Sequence, residues 1–165
     1  MITFKNLVNA FSDITTNHYQ LQKFLSGELS EIDPEKLDQT QFPMMFLQPN
    51  IATVDVRTMT YSVDIFILTL IQDDGTGIDD SYSETLLILK DVIAEFRQIM
   101  SSSSFFANTS VDARRNDKNQ YIIQFPISCD PFTERFSNLL TGWSATISIQ
   151  VNNENDLCNA PISTS

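Results

Sequence analysis

Gly142-Trp143-Ser144-Ala145-Thr146-Ile147-Ser148-Ile149-Gln150-Val151 is the stretch of this chain that decides the fold. Apolar side chains stand at every second position from Trp143 to Val151, and Ser, Thr or Gln fills each position between them. A period of two places successive side chains on opposite faces of an extended strand. The stretch therefore predicts an antiparallel strand with one face on a core, anchored by Trp143, and the other face in water.

A longer strand precedes it, predicted from Thr53 to Ile71. Its first half has one polar face, but in its second half Phe66 and Leu68 make both faces apolar. Something must cover that second half, and the obvious candidate is the amphipathic helix that follows. This helix begins with the capping-box pattern Ser81-Tyr82-Ser83-Glu84 and carries an apolar stripe that runs to Met100.

The remaining elements are shorter. A helical face from Phe4 to Ile14, with Thr3 as N-cap, predicts a helix from about Phe4 to about Thr16. Residues 18–32 fit an extension of that helix or an extended segment equally well. We further predict a short strand at Phe42 to Leu47 that begins at Pro43 or lies at an edge, a turn at Pro49-Asn50, a strand from Tyr121 to Cys129, and a connector from Asp130 to Thr141.

This order of elements shows no regular alternation of strand, helix and strand. It predicts the α+β class, with an antiparallel sheet of about four strands and helices packed mainly on one face. The length of 165 residues suits one domain. We assign residues 1–151 to a single α+β domain and residues 152–165 to a polar C-terminal tail, which is either disordered or an arm that orders against a neighbour.

Charge and targeting signals restrict the class of protein. Twenty-one acidic against ten basic residues give a formal charge of −11, which opposes binding to phosphates and acidic membranes. Such a surface serves solubility, or it forms a wall past which DNA slides without sticking. We expect no signal peptide, because the first residues, Met1 to Lys5, do not form a basic n-region followed by an apolar h-region. We also expect no membrane span, because the longest apolar stretch is only Ile65 to Ile71. Cys129 and Cys158 are expected to be reduced.

Residue types that carry chemistry are sparse. His18 is the only histidine, so any Ser-His-Asp or Cys-His arrangement would have to use it; a capping or packing role is the alternative. One His and two separated Cys make a poor zinc set. The loop Asp73 to Glu84 has the length of an EF-hand, but Ile78 stands where glycine is required. We therefore predict no enzyme activity, no cofactor and no metal.

One basic doublet, Arg114-Arg115, lies in the polar stretch from Asn108 to Gln120. That stretch indicates a hairpin tip or a mobile loop. The doublet is then either a solvated tip or a salt-bridge contact to an acidic neighbour.

Three segments together resemble a known group of proteins. They are His18…Phe24…Gly27…Glu31-Ile32 with Phe42-Pro43-Met44-Met45; Tyr61-Ser62-Val63-Asp64-Ile65 with the acidic loop and helix after it; and Leu140-Thr141-Gly142-Trp143-Ser144-Ala145 leading to Asn152…Cys158-Asn159-Ala160-Pro161-Ile162. They resemble small virion proteins encoded near the head–tail genes of tailed phages of Bacteroidetes, including crAss-like phages. The layout is also similar to tail terminator (tail-completion) proteins.

This resemblance implies a tail-terminator-like fold and a ring of identical subunits around the DNA channel, in the neck or at the top of the tail. The ring would join the portal to the tail, contact neighbouring portal, neck or tail proteins, and let DNA pass without specific binding. The protein would be made in the host bacterial cytoplasm and reside in the virion. The candidate subunit-interface residues are Arg114, Arg115, Asn152, Cys158 and Pro161.

Other classes of function stay open. A tail-tube or baseplate component is the nearest structural alternative. A soluble, acidic, host-directed binding protein that mimics DNA is a different class, and stable self-assembly would separate a ring subunit from such a monomer. An enzyme would need a pocket with perturbed carboxylates near His18.

Overall fold

The structure is a computed structural model that describes residues 2–32, 36–71, 76–99, 121–135 and 139–153. Within these ranges the chain forms two α-helices and six β-strands, so the predicted α+β class is confirmed. Their bounds are α1 Phe4–Asn17, β1 Lys23–Ser26, β2 Met44–Val54, β3 Thr58–Leu70, α2 Ile78–Ile99, β4 Tyr121–Ile123, β5 Cys129–Arg135 and β6 Leu139–Asn152.

All six strands belong to one mixed sheet with the order β1-β2-β3-β6-β4, and β5 also pairs with β6. β1 is parallel to β2, and every other pairing is antiparallel. The sheet therefore differs from the predicted one of about four antiparallel strands. The two additional strands, β1 and β5, are short or polar and show no apolar alternation that could reveal them.

β4 and β5 lie end to end along the same edge of β6. Tyr121 is opposite Val151 and Cys129 is opposite Ala145, so two extra residues are accommodated between the two strands. The Gln124 N–H still donates to the Ser148 carbonyl at 3.0 Å. The predicted strand Tyr121 to Cys129 is thus interrupted, and most of the predicted connector from Asp130 to Thr141 is strand, because β6 offers it a free ladder of hydrogen bonds.

Both helices pack on one face of the sheet, as predicted. The centre of this core is a stacked pair of rings, Phe11 from α1 and Phe96 from α2, with centroids 4.4 Å apart. The alternation in β6 is confirmed: the apolar residues Ala145 to Val151 face this core, and Thr146 on the opposite face is exposed. Other fully buried members are Leu7, Ala10, Met45, Leu47, Val63, Ile65, Ile67, Ile88, Leu89, Val92 and Ile149.

Residues 18–32 take the extended alternative. Thr3 caps α1 in a capping box with Asn6, as the N-cap prediction required, and the helix ends at Asn17. The chain then forms β1, which pairs with the first residues of β2, and a 3₁₀ turn at Leu29–Glu31. Because β1 is held by its parallel neighbour, local propensity does not decide its conformation.

A second, smaller apolar cluster lies on the opposite face of the sheet. Met44, Phe46 and Leu68 are buried there beneath the connector between β1 and β2. The expectation that a helix covers the second apolar face of β3 is therefore wrong. Instead, four side chains from the connector and its flanks cover it: Leu29, Ile32, Leu37 and Phe42.

The β2–β3 hairpin also departs from the predicted boundaries. β2 begins directly after Pro43, as predicted, but it continues to Val54, and a bulge between Pro49 and Ala52 stands where a turn was predicted. The chain reverses at residues 55–57, where the Asp55 N–H donates to the Thr58 carbonyl at 2.8 Å. A bulge lets a strand continue past a proline that would interrupt a regular ladder.

The second helix begins one turn earlier than predicted. Its first residue is Ile78, and the Ser81 N–H donates to the Gly77 carbonyl at 3.0 Å, so Ser81 lies inside the first turn. The prediction that Ser81 caps the N-terminus of this helix is therefore wrong.

Candidate interaction surface

At the hairpin end of the sheet four strands lie side by side: β2, β3, β6 and β4. The register places Thr53, Thr60, Gln150 and Ile122 in one row across them. β1 pairs with β2 only as far as Leu47. In the described part of the chain, no strand lies against the outer side of Gln48 to Val54 or of Ile122 to Phe125. This end of the sheet consequently has two open lateral edges.

Exposed apolar side chains concentrate at these two edges. Among the described residues, seven large hydrophobic side chains are exposed, and five of them lie on the hairpin or the β4 edge. The exposed fractions are 66% for Ile51, 67% for Val54, 74% for Val56, 60% for Ile122 and 53% for Phe125. Single exposed apolar residues need no explanation, but clusters at strand edges mark interaction sites.

The hairpin turn is held by the end of β6. Asn153 donates from its N–H to the Arg57 carbonyl at 2.9 Å and from its side-chain amide to the Asp55 carbonyl at 3.1 Å. Asn152, one of the predicted interface residues, is exposed and lies opposite Thr58. The C-terminal end of β6 and the exposed hairpin therefore form one continuous surface.

The open face of the sheet is polar and internally hydrogen bonded. The Asp64 carboxylate accepts from the Asn50 amide at 3.1 Å and from the Thr146 hydroxyl at 2.6 Å. Ser62 and Ser148 share a hydrogen bond of 3.1 Å across the β3–β6 pair. These bonds join β2, β3 and β6 on the solvent side of the sheet.

His18 is the C-cap residue of α1, and its own N–H donates to the carbonyl of Ile14 at 2.9 Å. Its side chain is 8% exposed, its Nδ1 accepts from the Gln20 N–H at 3.2 Å, and its Nε2 lies 3.9 Å from the Asp91 carboxylate. A shallow cleft of about 310 Å³ borders it, with Glu95 on the other wall. Asp91 is 54% exposed and therefore solvated. This geometry fits the predicted capping and packing role of the histidine.

The remaining predicted residues are the basic doublet, the C-terminal residues of the candidate interface, and Trp143. Arg114, Arg115, Cys158 and Pro161 lie outside the described residues. Trp143 packs against the core, as predicted, and its Nε1 donates to the Tyr82 carbonyl at 2.9 Å.

Cys129 is partly buried, and its burial, with the charge of Asp130, raises the pKa of the thiol. The thiol is therefore protonated at neutral pH and a weak nucleophile.

In the part of the chain that the structure describes, no cluster of three His, Cys, Asp or Glu side chains is placed to hold a metal ion. Neither described helix combines the length and the apolar character that crossing a bilayer requires. Of the loop compared with an EF-hand, residues 78–84 are helical, and residues 72–75 lie outside the described ranges.

No protein-family model matches the chain, and no curated protein is significantly similar to it in sequence.

Sequence reasoning missed the two apolar edges. The signal was present in Gln48 to Val54, which carries no ionisable side chain in a chain of net charge −11. Reading Pro49-Asn50 as a turn concealed it, because turn residues are expected to be exposed for reasons unrelated to binding.

Proposed function

We propose that this chain is a structural virion protein that forms a ring in the neck of a tailed phage or at the top of its tail. The ring surrounds the DNA channel, joins the portal to the tail and acts without catalysis. One observation carries the proposal: among the described residues, four of the seven exposed large hydrophobic side chains lie along two lateral edges of one sheet, and a fifth, Val56, lies in the hairpin turn beside them. A subunit with a contact surface on each of two sides has the design of a ring component.

The charge distribution supports a channel of this kind. The α2 sequence holds five acidic residues, Asp79, Asp80, Glu84, Asp91 and Glu95, against the two basic residues Lys90 and Arg97. Four of the five acids are exposed, and Glu95 is partly exposed. We assign this outer face of α2 to the channel wall, because carboxylates repel the phosphates of passing DNA and prevent adhesion.

Cryo-electron microscopy of intact virions of the encoding phage tests this function directly. We expect density for this chain as a closed ring at the portal–tail junction, with α2 on the channel side. A location in the tail tube or baseplate would replace the neck assignment with the other structural role. Absence of the chain from purified virions, checked by peptide mass spectrometry, would refute a virion function.

The net charge of −11 favours one alternative, a soluble acidic protein that binds a host DNA-binding protein in place of DNA. Such a protein is absent from the virion, and it is recovered with a basic host protein when infected cells are fractionated. The same mass spectrometry therefore separates the two functions.

A further inference from the structure

Strand direction makes the two open edges complementary. β2, β3, β6 and β4 are antiparallel to their neighbours in turn, so β2 and β4 run in opposite directions. When a second copy is placed beside the first in the same orientation, its β4 meets β2 of the first copy as an antiparallel neighbour. Antiparallel pairing requires no crossover and continues the order of the sheet.

The two edges also match in position along the strands and in the side of the sheet on which their side chains lie. Thr53 and Ile122 occupy the same row of the sheet, and each pairs across its strand with a residue of the open polar face, Thr60 or Gln150. Both side chains are exposed. A neighbouring copy at the same height therefore brings its Ile122 opposite Thr53, beside the exposed Ile51.

Natural strand edges are usually protected from pairing by lysines or other charges, by proline, by β-bulges or by being very short. The β2 edge carries a proline and a bulge between Pro49 and Ala52, but from Ala52 to Val54, beyond the bulge, it carries none of these features. Gln48 to Val54 holds no charged residue, although the whole chain carries −11. Only Pro49 removes a donor, and it lies near the start of this stretch, away from the row of Thr53.

We propose that β2 of one copy pairs antiparallel with β4 of the next, so that the sheet continues from subunit to subunit. The contact joins two different surfaces and is therefore head-to-tail, the type that closes into a ring. This inference rests on the proposed function, because the β2–β4 pairing is the contact between neighbouring subunits of the ring. The occupant of the β2 edge is a second copy, because the matching edge, with its exposed Ile122 and Phe125, belongs to the same molecule.

Disulfide trapping tests the pairing. The variant T53C/I122C, in a C129S/C158S background, places two cysteines directly opposite each other across the contact. Within one copy these positions are three strand spacings apart, roughly 14 Å, so an internal disulfide cannot form. Under mild oxidation of the purified protein we expect a ladder of cross-linked oligomers that collapses to monomer on reduction. T53C alone, I122C alone and T53C/L87C should stay monomeric.

A lysine substitution provides an independent measurement. I122K places a charge at the contact, and L87K places it on α2 at a side chain of nearly equal exposure, 60% against 58%. Circular dichroism confirms folding of both variants. We expect sedimentation velocity to show self-association for the wild type and L87K, and loss of association for I122K.

The outcomes distinguish this contact from the function. Disulfide dimers of T53C alone would show a two-fold pairing of β2 with β2 and overturn the head-to-tail contact. Absence of cross-linking in T53C/I122C, or association of I122K equal to that of L87K, would overturn it as well. The ring function is judged separately by the virion density, which could show a ring whose subunits meet elsewhere.

Discussion

Replacing Phe96 with alanine should remove the contact through which α1, α2 and β4 meet. The Phe96 ring is fully buried, stacks on Phe11 at 4.4 Å and lies 5.2 Å from the ring of Tyr121. Truncating the buried Phe96 ring to a methyl group leaves a cavity between α1, α2 and β4, which the surrounding structure fills only in part. We expect F96A to lower the free energy of unfolding by about 3–5 kcal/mol.

The size of this loss matters because a single domain has only about 5–15 kcal/mol of stability. Urea unfolding followed by circular dichroism measures it, with the wild type as reference. L87A is the matched control: Leu87 is on the same helix but 58% exposed, so its loss should stay within about 0.5 kcal/mol.

A double-mutant cycle then isolates the stacked pair. The coupling between F11L and F96L should be about 0.5–1.5 kcal/mol, the contribution of an aromatic pair beyond its burial. If F96A cost less than about 1 kcal/mol, below the usual range for Phe→Ala in a core, the packing of α1 against α2 described above would be refuted.

Three further predictions concern single residues. G142A should cost more than about 1 kcal/mol in urea unfolding, because its Cβ would collide with the Ile67 carbonyl oxygen; a near-neutral effect would mean that β3 and β6 lie farther apart. Burial raises the pKa of Tyr121, so the contribution of this residue to stability should be full below pH of about 10 and fall as pH rises further. Y121F should lose about 1 kcal/mol at neutral pH with the hydrogen bond to the Phe96 carbonyl, and should make the alkaline decline smaller than in the wild type; an unchanged pH profile would contradict this assignment. D64A should lose about 1–2 kcal/mol with its hydrogen bonds to Asn50 and Thr146, and D64N should recover part of it; equal losses would show that the acceptor oxygens are not the cause.

The elements that sequence reasoning located correctly are those whose side chains repeat. The alternation from Trp143 to Val151 and the helical face from Phe4 to Ile14 each specify one buried face, and burial of that face stabilises only one type of backbone. The same reasoning placed both helices on one side of the sheet. The same reasoning misplaced two boundaries. Backbone hydrogen bonds start α2 at Ile78 and not at Ser81, and they continue β2 past Pro49 to Val54.

The candidate surface was much less accessible to prediction. Of the five predicted interface residues, only Asn152 is described, and it belongs to the hairpin end. The apolar edge residues Ile51 and Val54 were missed, because Pro49-Asn50 was interpreted as a turn and the uncharged stretch Gln48 to Val54 was therefore not recognised as a strand edge. Their exposure follows from the early end of β1, because the second half of β2 then has β3 on one side and, among the described residues, no strand on the other.

The α+β class, the two amphipathic helices and the central strands could be predicted from the periodicity of the side chains, because burial of one apolar face favours a single type of backbone in each element. Tertiary structure alone decided that β1 and β5 are strands, that a connector and not a helix covers Phe46 and Leu68, and which edges stay open. The physical reason is that a polar or short segment becomes a strand when a neighbour offers unpaired N–H and C=O groups. Such a neighbour is distant along the chain, so no local pattern records it.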